Sequence, residues 1–216
     1  MKIGVICEGH TDRAVIINIL KGLKGIDSSQ VIPLRPYYSL DETDISELSP
    51  DTFSNWDAVK SECENQNKID RFLSLEGNEF VVIHIDADRC EEYGVAKPKK
   101  DSSYSDKLRK SIITEVNKWL NNNYQDNLLY AIAIEETEAW ILTIYDRKDS
   151  TSSADPKQKL KWLLNKKGVH FNQTAEDFLR ISKDFSKQKN FIKNKYREYN
   201  KSLNDFCEEV EIKIEK

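Results

Sequence analysis

Residues 80–88 (FVVIHIDAD) place a run of apolar, partly β-branched residues directly before two carboxylates. Such a run is typical of a strand buried on both faces, and ligands bind at the C-terminal ends of strands in open α/β sheets. Asp86 and Asp88 share a face while the chain stays extended. Like charges this close resist joint ionisation unless a cation lies between them, and Mg²⁺ is the natural occupant. Alternatively, one of the two aspartates only caps the next segment and the other is solvated, and neither binds a metal.

A second apolar segment, residues 2–7, also ends at an acidic residue, Glu8. Gly9 allows a tight bend, and Thr11 or Asp12 can cap a following helix. The helix is predicted by apolar residues at helical spacing: Val15, Ile16, Ile19, Leu20 and Leu23. If both strands are parallel members of one sheet, Glu8 lies at the same end of the sheet as Asp86. Alternatively, Glu8 only favours the helix N-terminus.

The third strand that ends in acidic residues is residues 128–135, followed by Glu136 and Glu138. Glu135 and Glu136 point to opposite faces while the strand persists, so only one of them can face Asp86. Glu138 falls in the first turn of a predicted helix, where a carboxylate is either a ligand or a partner of the helix dipole.

The remaining segments fit an α/β fold with a mostly parallel sheet flanked by helices. Two prolines in residues 31–38 predict a strand near the edge of the sheet, and an acidic loop follows at residues 39–54. Helices are predicted at residues 56–75, 104–120 and, in several pieces, 156–206.

Charge is distributed unevenly along the 216 residues, although the net charge is only −4. Residues 1–155 carry a net charge of −10, whereas residues 156–201 carry +9. This asymmetry is typical of an acidic catalytic part joined to a basic arm, and equally of a solvated, lysine-rich helical face. Aromatic residues of the basic region (Phe185, Phe191, Tyr196 and Tyr199) are expected to pack rather than to stack on bases.

Further lysines follow the acidic pair, namely Lys97, Lys99, Lys100 and Lys107. Positive charge beside a metal cluster suits a phosphate backbone, so we expect these residues to bind nucleic acid. The alternative is that they only keep the loop soluble.

The four cysteines are scattered without a C-x-x-C pair, which argues against a zinc site and indicates a reduced, cytoplasmic protein. An apolar run of membrane-spanning length is lacking, so no membrane partner is expected. A dinucleotide fold is disfavoured because no G-x-G-x-x-G follows the first strand.

The EGHTD sequence at residues 8–12, followed by DAD at residues 86–88, resembles the Toprim domain. Topoisomerases, primases, small RNA-maturation nucleases and the overcoming-lysogenization-defect (OLD) nucleases share that domain. With ETEAW at residues 136–140, the chain resembles the Toprim-like DUF4276 family. The chain departs from the topoisomerase and primase pattern at Cys90, where a third acidic residue is common; Glu91, Glu136 or Glu138 could substitute.

The resemblance implies a Rossmann-like catalytic domain, which we place at residues 1–150. The basic region has no counterpart in the Toprim domain, and we expect residues 151–216 to form a helical, lysine-rich extension that packs on it. The resemblance further implies a Mg²⁺-dependent or Mn²⁺-dependent nuclease, and relatives suggest a role in anti-phage defence. Asp86 and Asp88 would hold one ion, Glu136 or Glu138 a second, and Glu8 would act as general base or ligand.

Other functions remain open. One alternative is a Toprim-fold regulatory or assembly module partnered with an ATPase, without catalysis of its own. A D-x-D metal-dependent phosphatase is another, but such enzymes normally carry the pair on their first strand, where this chain has Glu8. A D-x-D glycosyltransferase finds no further support.

Overall fold

Four apolar segments form one parallel sheet in the computed structural model, which describes residues 1–36 and 56–214. The spatial order is β2-β1-β3-β4. The strands are β1 (Lys2–Ile6), β2 (Val31–Arg35), β3 (Asn78–Asp86) and β4 (Leu128–Ala133). The predicted α/β class is confirmed, as is the expectation that the three strands followed by acidic residues lie parallel with their C-terminal ends together.

The strand with the prolines lies at an edge of the sheet, as predicted. Pro33 of β2 has no N–H to donate, and only an edge strand tolerates that loss because it has one neighbour. The last residues of the predicted strand (37–38) and the predicted acidic loop (39–54) lie outside the described residues.

Nine α-helices flank the sheet in the described part of the chain. They are α1 (His10–Lys24), α2 (Trp56–Asn65), α3 (Asn67–Leu73), α4 (Tyr104–Trp119), α5 (Glu138–Tyr145), α6 (Pro156–Lys166), α7 (Ala175–Ile181), α8 (Gln188–Asn194) and α9 (Lys201–Lys213). No helix of residues 1–36 and 56–214 combines the length and apolar character needed to cross a membrane.

Two helices replace the single helix predicted for residues 56–75. Gln66 separates α2 from α3 with a left-handed backbone (φ 59°), which a continuous right-handed helix does not contain. Its side-chain oxygen accepts a hydrogen bond from Asn123 Nδ2 at 2.9 Å. The break therefore depends on a distant residue rather than on a local glycine or proline.

The alternation of β3 divides the core between the two faces of the sheet. Val82 joins a core formed with α1 and the C-terminal helices, while Val81, Ile83 and Ile85 join one formed with α2, α3 and α4. The C-terminal helices thus pack on the sheet, and the predicted boundary at residue 150 stays a prediction.

Three of the four aromatic residues singled out in the basic region belong to this core, and the fourth, Tyr199, is half-buried. Phe185, Phe191 and Tyr196 are all buried, and Phe185 stacks on Phe191 with ring centroids 5.3 Å apart. For these three residues the structure agrees with the packing interpretation rather than with base stacking.

Candidate metal centre at the C-terminal end of the sheet

Glu8 and Asp86 meet where β1 and β3 end side by side. Asp86 donates its backbone N–H to Glu8 Oε1 at 2.9 Å, although 78 residues separate the two in sequence. Glu8 is 8% exposed. The pairing of β1 with β3 therefore brings together two of the carboxylates that the sequence singled out.

Thr137 fixes the Asp86 carboxylate from the turn between β4 and α5. Its backbone N–H and its hydroxyl both donate to Asp86 Oδ1, at 2.9 and 3.0 Å. The hydroxyl also lies 2.8 Å from His84 Nε2, which is 3.5 Å from the same carboxylate oxygen. Since the hydroxyl proton goes to Asp86, the ring donates from Nε2 to Thr137 Oγ1 in this arrangement.

Asp12 completes a group of three that could hold a metal ion. One ligand atom each from Asp12, His84 and Asp86 lies within 4.8 Å of the others. The helix α1 starts at His10, two residues before Asp12, and Asp12 Oδ2 accepts the backbone N–H of Gly9 at 2.9 Å. Asp12 was expected only as a helix cap. Instead it lies within the first helical turn, and Gly9 takes the N-cap position.

His84 is the other member that sequence reasoning missed. A signal was present: His84 lies two residues before Asp86 on the same strand, so both side chains leave the same face. The ring is fully buried, and its Nδ1 has no hydrogen-bond partner within the described residues.

The predicted glutamates of the β4–α5 turn take different positions. Glu138 is buried in the first turn of α5, at 7% exposure. Glu136 Oε2 accepts the backbone N–H of Lys157 at 3.4 Å. Asp88, two residues beyond the strand, is exposed and bonds through its backbone to Glu135 O. None of these three belongs to the group of Asp12, His84 and Asp86.

Burial and mutual repulsion raise the pKa of these acids. The pKa of Glu8 rises from 4.5 to about 8 because burial and the charges of Asp12 and Asp88 disfavour its ionised form. The pKa of Asp86 is raised by burial and by the charges of Asp12, Glu8 and Glu138. Burial and the charge of Glu136 raise the pKa of Glu138 to about 7.

Compensating cations are missing from this cluster. Within residues 1–36 and 56–214, no lysine or arginine forms an ion pair with the carboxylates of Glu8, Asp12, Asp86 or Glu138. Arg35 approaches, but its Nη1 donates to the backbone oxygens of Cys7 and Glu8. A cluster of buried acids without a protein cation fits a bound metal ion.

Lysines border the cluster on the loop after β3. Lys97 Nζ donates to Asp88 O at 2.7 Å and lies 3.8 Å from Glu135 Oε2, while Lys100 Nζ donates to Glu135 Oε1 at 3.1 Å. Of the four predicted phosphate contacts, Lys97 thus lies next to Asp88, and both Lys97 and Lys100 contact Glu135. Of the other two, Lys99 is exposed, and Lys107 pairs with Asp101 at 3.4 Å.

Glu135 holds those lysines from a constrained position. The strand β4 ends at Ala133, earlier than predicted, and Glu135 adopts a left-handed backbone (φ 66°), which is uncommon outside glycine. Tyr104 OH also donates to its Oε1, at 3.0 Å. Because the strand ends before Glu135, the predicted alternation of Glu135 and Glu136 does not apply.

Comparison of the chain with protein-family models, with curated proteins and with solved structures found no match in any of the three. The fold and the site geometry therefore carry the functional argument alone.

Proposed function

We propose that this chain is a Mg²⁺-dependent or Mn²⁺-dependent hydrolase of nucleic-acid phosphodiester bonds. One observation carries the proposal. Buried carboxylates converge at the C-terminal end of a parallel sheet, where α/β folds bind ligands, and lack a protein cation in the described residues.

The donor set favours a hard cation. Carboxylate oxygens suit Mg²⁺ and Mn²⁺, whereas imidazole nitrogens suit softer metals. His84 Nε2 is engaged by Thr137, so the residues we assign to the ion are Asp12 and Asp86, with Glu8 and Glu138 beside them. Asp88, predicted to hold the first ion with Asp86, and Glu136, predicted to help hold a second, are nearer to solvent, and both stay predicted ligands.

The reaction needs an activated water and stabilisation of charge on the phosphate. A bound divalent ion supplies both, by lowering the pKa of water and by polarising the phosphoryl oxygens. Positive charge among the acids also favours their ionised form. We assign Glu8 to accept the proton of the attacking water, because its second carboxylate oxygen is free of hydrogen bonds within the described residues.

Substrate phosphates have a docking position beside this centre. Lys97 lies next to Asp88, and both Lys97 and Lys100 can exchange their contacts with Glu135 for contacts with a phosphate. The excess of positive charge in residues 156–201 supports the choice of a polyanionic substrate. The roles of Lys99 and Lys107, and a place in anti-phage defence, stay predictions.

The test compares two aspartate-to-asparagine variants. Asp86→Asn removes a central carboxylate charge, and Asp126→Asn changes an exposed residue before β4, at the opposite end of the sheet. Calorimetry with Mg²⁺ and Mn²⁺ should give binding heat for the wild type and Asp126→Asn and none for Asp86→Asn. The wild type and Asp126→Asn should likewise cleave labelled DNA or RNA, and Asp86→Asn should not.

Equal heats from all three proteins would contradict the metal centre. Metal binding without cleavage of either nucleic acid would contradict the hydrolase and favour a module that uses the fold without catalysis.

A further inference from the structure

Trp162 on α6 is 59% exposed. Trp119 and Trp140 are buried, and the half-buried Trp56 donates its indole N–H to Glu92. Tryptophan carries the largest apolar side chain, and structures usually bury most of it. An indole ring that faces solvent on a regular helix therefore needs an explanation.

The helix itself explains the orientation but not the residue type. Leu160 and Leu164 are fully buried and anchor α6 to the core, so Trp162 leaves the helix on the solvent side. A polar residue would be expected there. Lys166, one turn later, places its Nζ 5.0 Å from the centroid of the indole ring.

Several lysines lie on and just after the same helix. Lys157, Lys161, Lys166 and Lys167 are exposed, and their ammonium groups have no ion-pair partner in residues 1–36 and 56–214. By contrast, Lys159 of the same helix pairs with Asp146 at 2.9 Å. We call the surface formed by Trp162 with its neighbours Lys161 and Lys166 the α6 face.

The first turn of α6 lies beside the candidate metal centre. Lys157 donates its backbone N–H to Glu136, which lies in the turn that also holds Thr137 and Glu138. Trp162 follows five residues later, about 7.5 Å along the helix axis. Five residues also turn the helix by about 140°, so a strand bound at the acidic cluster would pass around α6 to reach the indole ring.

We propose that the α6 face binds single-stranded nucleic acid, with Trp162 stacking on an unpaired base and the lysines contacting phosphates. Exposed aromatic rings among basic residues are how proteins hold single strands without reading sequence. The bases of a duplex are already stacked on each other, so a duplex offers the ring no free face. The choice of ligand rests on the proposed hydrolysis of phosphodiesters, and the inference narrows that substrate to its single-stranded form.

Three variants of the full chain test whether the aromatic ring of Trp162 binds the strand. They distinguish this effect from the loss of the indole fluorescence signal and from the loss of any exposed apolar side chain. Trp162→Ala removes the ring, and Trp162→Phe keeps an aromatic ring but removes the indole signal. Ile212→Ala is the matched control, because Ile212 is a 76% exposed apolar residue on the surface of another helix, α9. The ligand is a labelled single-stranded DNA of mixed sequence, with the corresponding duplex as competitor, in low salt with EDTA so that nothing is cleaved.

Fluorescence anisotropy should show that Trp162→Ala weakens single-strand binding about 5- to 150-fold, the range that one lost stacking contact gives. Trp162→Phe should keep most of the affinity, and Ile212→Ala should bind as the wild type does. Tryptophan emission should fall on binding in the wild type and in Ile212→Ala, and this quenching should largely disappear in Trp162→Phe.

Unchanged single-strand affinity in Trp162→Ala overturns the proposal, as does wild-type protein that fails to bind the single strand at all. An equal loss of duplex affinity also overturns it, because stacking on an unpaired base cannot explain that loss. Circular dichroism of each variant checks that the fold is retained.

The outcome is independent of the test of the metal centre. Cleavage that depends on Asp86, together with single-strand binding that does not depend on Trp162, would support the hydrolase and contradict the role of the α6 face. Stacking on Trp162 without metal-dependent cleavage would support the α6 face and contradict the hydrolase.

Discussion

Thr137 is the residue on which the geometry of the candidate metal centre depends most directly. Both of its donors reach Asp86 Oδ1, and its hydroxyl connects that carboxylate to His84. Groups that orient a metal ligand in this way tune the affinity of a site without touching the ion. Thr137 is 1% exposed, so water does not replace the hydroxyl once it is removed.

Thr137→Val should therefore lower the affinity for Mn²⁺ about 10- to 100-fold, while Thr137→Ser should stay close to the wild type. Calorimetry measures both. Thr143→Val is the control, since that hydroxyl is equally buried but donates to Trp140 O, away from the acids. An equal loss of affinity in Thr137→Val and Thr143→Val would show that any buried hydroxyl matters, and would remove the special role of Thr137.

Part of the centre could be predicted from residues alone. Glu8 and Asp86 lie at the ends of two strands that were predicted to be parallel in one sheet, and strand ends fix the position of a side chain closely. Asp12 and His84 were missed for different reasons. The position of Asp12 depends on α1 starting at His10, and the role of His84 depends on a threonine 53 residues away.

At the level of elements, the loop after β3 is attached to the sheet chiefly through Glu135. Its carboxylate receives Lys100 and Tyr104, and its backbone oxygen receives the N–H of Asp88. The left-handed backbone of Glu135 is the kind of strain that tends to persist at functional sites. The loop therefore presents its lysines from a fixed position.

Glu135→Gln should strengthen the binding of single-stranded DNA in EDTA and steepen its dependence on salt. The substitution removes a negative charge next to Lys97 and Lys100 but keeps an oxygen that accepts from Tyr104. Each additional phosphate contact adds to the slope of log affinity against log salt. Weaker binding with an unchanged slope would mean that Glu135 only positions the loop.

The contact between α1 and the turn at Lys183–Ser186 tolerates no side chain at Gly22. A Cβ there would lie 1.9 Å from the backbone oxygen of Phe185. Gly22→Ala should lower the free energy of unfolding by about 1–3 kcal/mol, because the turn must move away from the helix. Urea denaturation tests this, with the exposed neighbour Lys21→Ala expected to change little. An unchanged free energy of unfolding in Gly22→Ala would show that the turn can move away from the helix without cost.

The elements themselves were predictable where the apolar pattern was long, as in α1 and β3, because periodicity alone specifies such segments. Their interruptions were not. Gln66 breaks the helix predicted for residues 56–75 with the help of Asn123, and Glu135 ends the predicted strand early with the help of Lys100 and Tyr104. Contacts made only after folding decide such positions.

For the whole molecule, the acidic cluster makes stability depend on pH. Folding raises the pKa of Glu8 to about 8 and that of Glu138 to about 7, from 4.5 in both cases. The folded chain therefore binds protons more tightly than the unfolded chain, and the free energy of unfolding falls as pH rises from 4.5 towards 8.

The Tm of the metal-free protein should accordingly fall between pH 5 and pH 8, by about 2–4 °C for each kcal/mol lost. The proposed Mg²⁺ would bind the ionised cluster of the folded chain, so added Mg²⁺ should raise the Tm more at pH 8 than at pH 5. Glu8→Gln should flatten the pH dependence, whereas Glu79→Gln, exposed at the other end of the sheet, should not. A Tm in EDTA that does not change with pH in the wild type would contradict the shared burial of these acids.

The position of α9 has a consequence for how the protein is made. Ser202 of α9 accepts the indole N–H of Trp140 at 2.8 Å and the backbone N–H of Ile134 at 3.3 Å, directly behind the turn that holds Thr137. Since α9 follows every other described helix in the chain, a ribosome must finish almost all of residues 1–214 before this support exists. A nascent or prematurely terminated chain would therefore lack an assembled candidate centre, so the proposed hydrolase would gain its activity only at the end of synthesis.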